Sequence, residues 1–290
     1  MRCACIDIGS NTTRLLVAEP DGRALRELLS RRAFTSLRGS EPAIPAEKVA
    51  EVASEVASQA TLAREAGAER IDAVATAAIR HAENRDELCA AIEEASGLVV
   101  TVLSEEQEAR LAFLGAVGTL AEAPDGVVAV VDVGGGSTEI VCGTADGGVS
   151  WSVSFRVGSG SLADSYLLGD PPSSEELERV RLHVAATFDG LEVPRADIAY
   201  AVGGSAASLR RLIGAVLDRG TIEDGVRALS DACAGDLAPR FELHLERIRV
   251  LPAGMLLLGA ASSALGLPLT IASGGLREGV ILEQQRGVAV

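Results

Sequence analysis

The sequence predicts an α/β protein built from two similar half-molecules, with a cleft where the halves meet. Three observations predict it. Short apolar, strand-like runs alternate with segments of helical spacing along the chain. The stretch IDIGSNTTRLLV, starting at Ile6, recurs as VDVGGGSTEIVC, starting at Val131. Each copy reads apolar, Asp, apolar, Gly, two small or polar residues, two hydroxyls, one charged residue and an apolar strand. A repeat this widely spaced is not a solenoid and implies duplicated halves.

The elements follow in order. CACIDIGS reads as a strand, and RLLVAE as its antiparallel partner across a Gly-Ser-Asn-Thr turn. From Pro45, Val49, Val52, Val56, Ala60 and Ala63 keep helical spacing until Gly67. IDAVATAAI then reads as a strand, RDELCAAIEEAS as a helix and LVVTVL as a strand. A helix opens at Ser104, where Ser104 and Gln107 form an S-x-x-Q capping box with Glu105, Glu106 and Glu108 at its start. GVVAVVDV is a buried-strand run, and EIVCGT is its partner after the glycine loop. GTLAEAPDG, around Gly118 to Pro124, has linker chemistry. The expected domains are therefore 1–119 and 120–290, with a terminal helix at 277–290 returning to the first.

Composition narrows the function classes. The chain has 290 residues, 48% hydrophobic and 23% charged, which specifies a folded core rather than disorder. Its apolar runs are short or broken by Gly, Pro and Ser, so no membrane partner is expected. No secretory leader is read at the start, and a cytoplasmic location is expected. A net charge of -15 argues against a nucleic-acid partner, which calls for a basic footprint. Lys48 is the only lysine, so neither a Walker loop nor a kinase phosphate-pairing lysine can be built. Cys3 and Cys5 share one strand face and read as small buried hydrophobes. His81, His183 and His244 are too scattered for a His-rich metal site and read as surface or structural residues.

The chemistry concentrates in the repeated loops. Bare glycines let backbone N–H groups point inward, which suits phosphate oxygens. Ser137 and Thr138, like Thr12 and Thr13, add hydroxyls. Asp7 and Asp132 are expected to face one another across the cleft as hard oxygen ligands for Mg2+ or Mn2+. Two more Gly-Gly corners, AVGGSAASLRRL and ASGGLREGVIL, place N–H groups at helix N-termini, with Arg210, Arg211 and Arg277 supplying local positive charge. Each corner reads equally as a packing device. Gly204 is the phosphate-binding candidate among them.

With these residues in view, the sequence resembles the exopolyphosphatase and guanosine pentaphosphate phosphatase family, in its short two-domain form. Its motifs appear as IDIGSNTTRLLV, the LR of TSLRGS, ATAAIRHAEN, LSEEQEARLAFLGAV, VVDVGGGSTEI, FRVGSGSLAD, AVGGSAASL and ASGGLREGVIL. The resemblance implies two ribonuclease-H-like domains of the actin, sugar-kinase and Hsp70 superfamily. It implies Glu108 as the group that activates or orients the attacking water. It implies phosphate loops at Asp7, Gly9, Ser10, Asn11 and Thr12, and at Asp132, Gly134, Gly135, Gly136, Ser137 and Thr138. Arg80 and Arg38 become phosphate candidates, and Glu139 joins Asp7 and Asp132 as a metal candidate. Gln107 and Glu105 depart from the family pattern, which usually has Glu and Gly there.

The expected activity is release of terminal orthophosphate from inorganic polyphosphate, favouring short chains because no histidine-rich additional domain is read. Guanosine pentaphosphate is the alternative substrate, and homodimer formation is left open. Readings from other classes are a sugar kinase or chaperone-like ATPase, and a non-catalytic polyphosphate or alarmone sensor.

Overall fold

The computed structural model describes residues 1–21, 24–37 and 42–285. The chain divides into two compact units: one takes Met1–Ala123 and the segment beginning at Gly274, the other Pro124–Ser273. The division falls inside the Pro-containing linker stretch, a few residues beyond position 119.

In unit 1, β1 (Cys3–Ile8), β2 (Thr13–Asp21) and β3 (Ala24–Ala33) form an antiparallel meander. Then come α1 (Ala46–Glu65), β4 (Arg70–Ala75), α2 (Ala77–Arg80), α3 (Arg85–Ser96), β5 (Val100–Val102) and α4 (Glu105–Gly118). The sheet order is β3-β2-β1-β4-β5, with β4 parallel to both β1 and β5. Residue alternation on β1 separates the two faces. Ala4, Ile6 and Ile8 pack with Val52, Val56 and Ala60 of α1 and with Leu88 and Ile92 of α3. Cys3 and Cys5 face the other way, into a cluster with Leu111 of α4 and with Leu276, Val280 and Ile281. Both thiols are fully buried and free, as expected of small hydrophobes.

Two elements differ from the sequence reading. IDAVATAAI is not one strand: β4 stops at Ala75, and Arg80 N–H donates to Thr76 O to turn the chain into α2. β3 was not legible, because ALRELLSRRA is an edge strand carrying charge on its solvated positions instead of an apolar alternation. The α4 cap is as read. Gln107 N–H donates to Ser104 Oγ at 3.1 Å, and Ser104 N–H donates to Gln107 Oε1 at 2.8 Å.

Unit 2 repeats the plan. It begins with β6 (Val128–Val133), β7 (Thr138–Thr144) and β8 (Gly148–Phe155). After these come α5 (Ser159–Tyr166), α6 (Ser174–Phe188), β9 (Ile198–Val202), α7 (Gly203–Ile213), β10 (Val216–Leu217) and α8 (Arg219–Ser230). It closes with α9 (Ala234–Arg240), α10 (Leu245–Leu265) and β11 (Leu269–Ile271). The sheet order is β10-β11-β9-β6-β7-β8, again an antiparallel meander flanked by parallel strands, β9 and β11, with the short β10 antiparallel at the edge. The helix α10 is long and apolar enough to cross a membrane, but Leu251, Ala253, Met255, Leu257 and Leu258 are buried in the unit 2 core.

The chain then re-enters unit 1 through α11 (Leu276–Gln285), which packs along α4. The contact is backbone against backbone. A Cβ on Gly115 would run into Gly275 O, and one on Gly279 into Leu111 O. Arg110 of α4 and Glu283 of α11 are paired, and Gln284 Nε2 donates to Ala4 O at 3.0 Å. The ASGGLREGVIL corner is therefore a packing device: bare glycines bring the two helices to closest approach.

Candidate active site

The two repeated loops have the same geometry. Asp7 pairs with Arg14 and Ile8 with Thr13 in the first hairpin; Asp132 pairs with Glu139 and Val133 with Thr138 in the second. In the first turn Gly9 N–H donates to Thr12 O at 3.0 Å, and in the second Gly134 N–H donates to Ser137 O at 3.0 Å.

Flanking segments take up the loop carbonyls in both units. Ser36 and Leu37 N–H donate to Asn11 O and Ser10 O. Ser159 N–H and Oγ both donate to Gly134 O, while Gly160 and Ser161 N–H donate to Gly135 O. Among the described residues, the N–H groups of Ser10, Asn11 and Thr12, and of Gly135, Gly136 and Ser137, have no acceptor. Each loop thus presents three adjacent amides, the arrangement that holds an oxyanion. Gly158 makes the second latch fit, since a Cβ there would lie 2.5 Å from Gly135 C and Gly136 N. Gly158→Ala is expected to push the Gly135–Gly136 backbone aside and weaken orthophosphate binding ~10-fold, the usual effect of losing a support to a binding group. Calorimetric titration with orthophosphate checks this, and unchanged affinity refutes it.

The hydroxyls divide. Ser10, Asn11, Thr12 and Ser137 are mostly buried at their loops, between 4% and 8% exposed. Thr138 is fully buried and donates its hydroxyl to Val157 O at 2.6 Å, so the phosphate donor expected of it is spent on bracing the loop. Thr13 is likewise engaged with Thr35, at 3.0 Å.

Glu108 and Arg80, distant in sequence, meet within unit 1. The helical turn of α2 aims Arg80 at the first turn of α4, where Nη1 lies 2.8 Å from Glu108 Oε2 and also donates to Leu103 O at 2.7 Å. The pair is nearly buried, with side chains 12% and 11% exposed. Arg80 Nε and Nη2 are buried without any hydrogen-bond partner. Donors left this way are costly unless an oxyanion satisfies them. His81, read as surface or structural, lies with its Nε2 4.0 Å from Glu105 Oε1. Arg38 lies outside the described residues.

The metal candidates sit in different surroundings. Asp132 and Glu139 are cross-strand partners on one face of β6 and β7. Glu139 is 2% exposed and accepts from Ser154 Oγ at 2.9 Å. Asp132 lies against Gly203, whose positive φ of 84° opens α7. Asp7 is in a cationic setting. Burial raises its pKa, and Arg14 and Arg277 oppose that rise. The Arg277 guanidinium, together with burial, pulls Arg14 down to about 9. Two guanidiniums beside Asp7 compete with a metal cation there. No cluster of three or more His, Cys, Asp or Glu suited to a metal occurs among the described residues.

Sequence reasoning gave no role to Arg14, the charged residue of the first repeat, or to Arg247, which lies outside every quoted motif. Arg247 is buried at the start of α10 against Gly204. The opposition of Arg14 to Asp7 could have been read from the hairpin register alone.

Two meanders flanked by parallel strands, in the orders β3-β2-β1-β4-β5 and β8-β7-β6-β9-β11, each with an amide-lined turn after its first strand, define a ribonuclease-H-like fold of the actin, sugar-kinase and Hsp70 superfamily. The chain belongs to the Ppx/GppA phosphatase family, whose model matches residues 17–286, and as a member it is a phosphoanhydride hydrolase. It is 30% identical to Exopolyphosphatase 1 of Mycobacterium leprae, over 98% of this chain and 89% of that protein. The crystal structure of the Aquifex aeolicus Ppx/GppA family member superposes with a TM-score of 0.82 at 30% identity, covering 99% of this chain and 98% of the other. An exopolyphosphatase structure from Cytophaga hutchinsonii shares the fold, with a TM-score of 0.89 at 19% identity, covering 100% and 99% of the two chains.

Proposed function

We propose that the protein releases terminal orthophosphate from inorganic polyphosphate, favouring short chains, by metal-assisted attack of water. The observation that carries this reading is the matched pair of amide-lined loops, each with its carbonyls latched away and three N–H groups left for an anion. Exopolyphosphatase 1 of M. leprae, similar along nearly its whole length, supports polyphosphate as the substrate.

In this reading each unit's loop, Ser10 to Thr12 in the first and Gly135 to Ser137 in the second, is an anion-binding element built of backbone amides. Arg80 offers its unpartnered Nε and Nη2 to a further oxygen, while its Nη1 fixes the direction of the Glu108 carboxylate. Glu108 orients the attacking water and accepts its proton. The water oxygen bonds to the terminal phosphorus, the bridging P–O bond breaks, and the shortened chain leaves with the charge. Phosphoryl transfer of this kind leans more on positioning and charge neutralisation than on a strong base.

Asp132, with Glu139 beside it, is a hard-oxygen pair suited to Mg2+ or Mn2+ carried largely through water; Glu139, tied to Ser154, is the weaker partner. A metal held there would supply neutralisation of phosphate charge. Short chains are favoured because a protein of net charge -15 repels phosphates lying beyond the arginine-rich and amide-rich surroundings of the loops.

Phosphate release from short polyphosphate, long polyphosphate, guanosine pentaphosphate and ATP, with and without each metal, tests the reading. Fastest metal-dependent release from short polyphosphate is the expected result. Preference for guanosine pentaphosphate, or strong preference for long polymer, overturns the corresponding part.

A further inference from the structure

The GGS corner that opens α7 has a cation built in behind it. Arg247 is 6% exposed and lies in the first turn of α10, so it sits at a helix N-terminus, where the macrodipole disfavours positive charge. Its guanidinium is stacked on Gly204, the second residue of α7, so that a Cβ there would lie 2.9 to 3.2 Å from Nη2, Nη1 and Cζ. A second helix N-terminus therefore faces the same cation. The neighbouring residue, Gly203, lies against the Asp132 carboxylate, and no side chain can stand between them. Successive residues of one backbone corner thus carry a carboxylate on one and a guanidinium on the next.

We infer that Arg247 is a positioning residue for Asp132. By bracing Gly204, it holds the Gly203–Gly204 backbone in the conformation that seats the Asp132 carboxylate, and its charge keeps that corner attractive to anionic groups. The inference rests on the proposed role of Asp132 toward a divalent cation, and it adds a residue that neither the loop repeat nor any glycine motif contains. Gly204 is bare for the same reason: any side chain there displaces the guanidinium.

Five proteins test this: wild type, Arg247→Met, Arg247→Lys, Gly204→Ala and the double variant of Arg247→Met with Gly204→Ala. Each is measured for Mn2+ affinity on the free protein by electron paramagnetic resonance, for kcat and KM on short polyphosphate, and for melting temperature. Loss of a group that supports a metal ligand typically costs ~10-fold to 100-fold in metal affinity or activity. Arg247→Met is expected to weaken Mn2+ binding and lower kcat by that range, with a smaller change in KM. Gly204→Ala is expected to do the same by displacing the guanidinium, and the double variant to be no worse than either single one. Arg247→Lys, which keeps charge but not the planar brace, should recover part of the loss.

Unchanged Mn2+ affinity and kcat in Arg247→Met, or additive losses in the double variant, overturn the inference. If Arg247→Met fails to fold, Gly204→Ala decides alone. Wild type that neither binds Mn2+ nor hydrolyses polyphosphate sinks the functional reading itself. Wild type that does both, beside variants that match it, sinks only the role of Arg247.

Discussion

Glu108→Gln is expected to lower kcat for phosphate release from short polyphosphate by ~10²-fold to 10⁴-fold, the usual contribution of a positioned acid–base group. The substitution removes one ionisable oxygen and changes little else. Glutamine keeps a carbonyl that can accept from Arg80 Nη1, now 2.8 Å from Glu108 Oε2, so α2 stays docked on α4. Circular dichroism should therefore match wild type, and the melting temperature should fall because the nearly buried Arg80 loses its counter-charge, while turnover collapses far beyond what that fall explains. An acidic residue in a first helical turn is also stabilised by the macrodipole, which is the competing account of why a glutamate stands there. The two accounts part on one measurement. A purely electrostatic role leaves kcat within a few-fold of wild type, whereas water orientation does not. Near-normal release by Glu108→Gln removes this residue from the mechanism.

The second large effect is on stability. Gly279→Ala places a methyl group where Leu111 O already sits, and Gly115→Ala does the same against Gly275 O. Both clashes are with backbone, so no rotamer change relieves them, and α4 and α11 must separate. Overpacking of a tight interior costs about 1–3 kcal/mol, sometimes more. The buried cluster of Cys5, Leu111, Val280 and Ile281 also loses close contact. A lowered denaturation midpoint with an unchanged m-value is the expected reading. Because α4 carries Glu108, a fall in turnover should accompany it. A Gly279→Ala protein of wild-type midpoint would show that the helices have room the close approach denies.

Much of this was legible in the residues. The hairpin register that pairs Asp7 with Arg14 and Asp132 with Glu139 follows from aligning the two loop sequences, since four turn residues separate equivalent strand ends in each. The Ser104 and Gln107 cap was likewise readable, because a capping box depends on residues three apart. What was not legible depended on distance. Nothing local in IDAVATAAI announces that the strand ends at Ala75, for alanine and isoleucine serve both states; the turn is set by packing that brings Arg80 to Glu108. β3 hid behind its charges, as edge strands do. Thr138 reads as a phosphate hydroxyl in the sequence, but in the fold it donates its hydrogen bond to Val157 O. Arg247 was invisible because its partner in the fold is a glycine far upstream.

The return of α11 to the first unit bears on how the chain is made. Unit 2 is continuous from Pro124 to Ser273 and contains all the strands of its own sheet, whereas in unit 1 α4 lacks its helical neighbour α11 until the residues after Gly274 are available. During vectorial synthesis, domains ordinarily complete in the order they emerge. Here the order is inverted: the first unit translated is the last to be finished, and nascent chains stalled before Gly274 carry Glu108 on a helix still waiting for its mate.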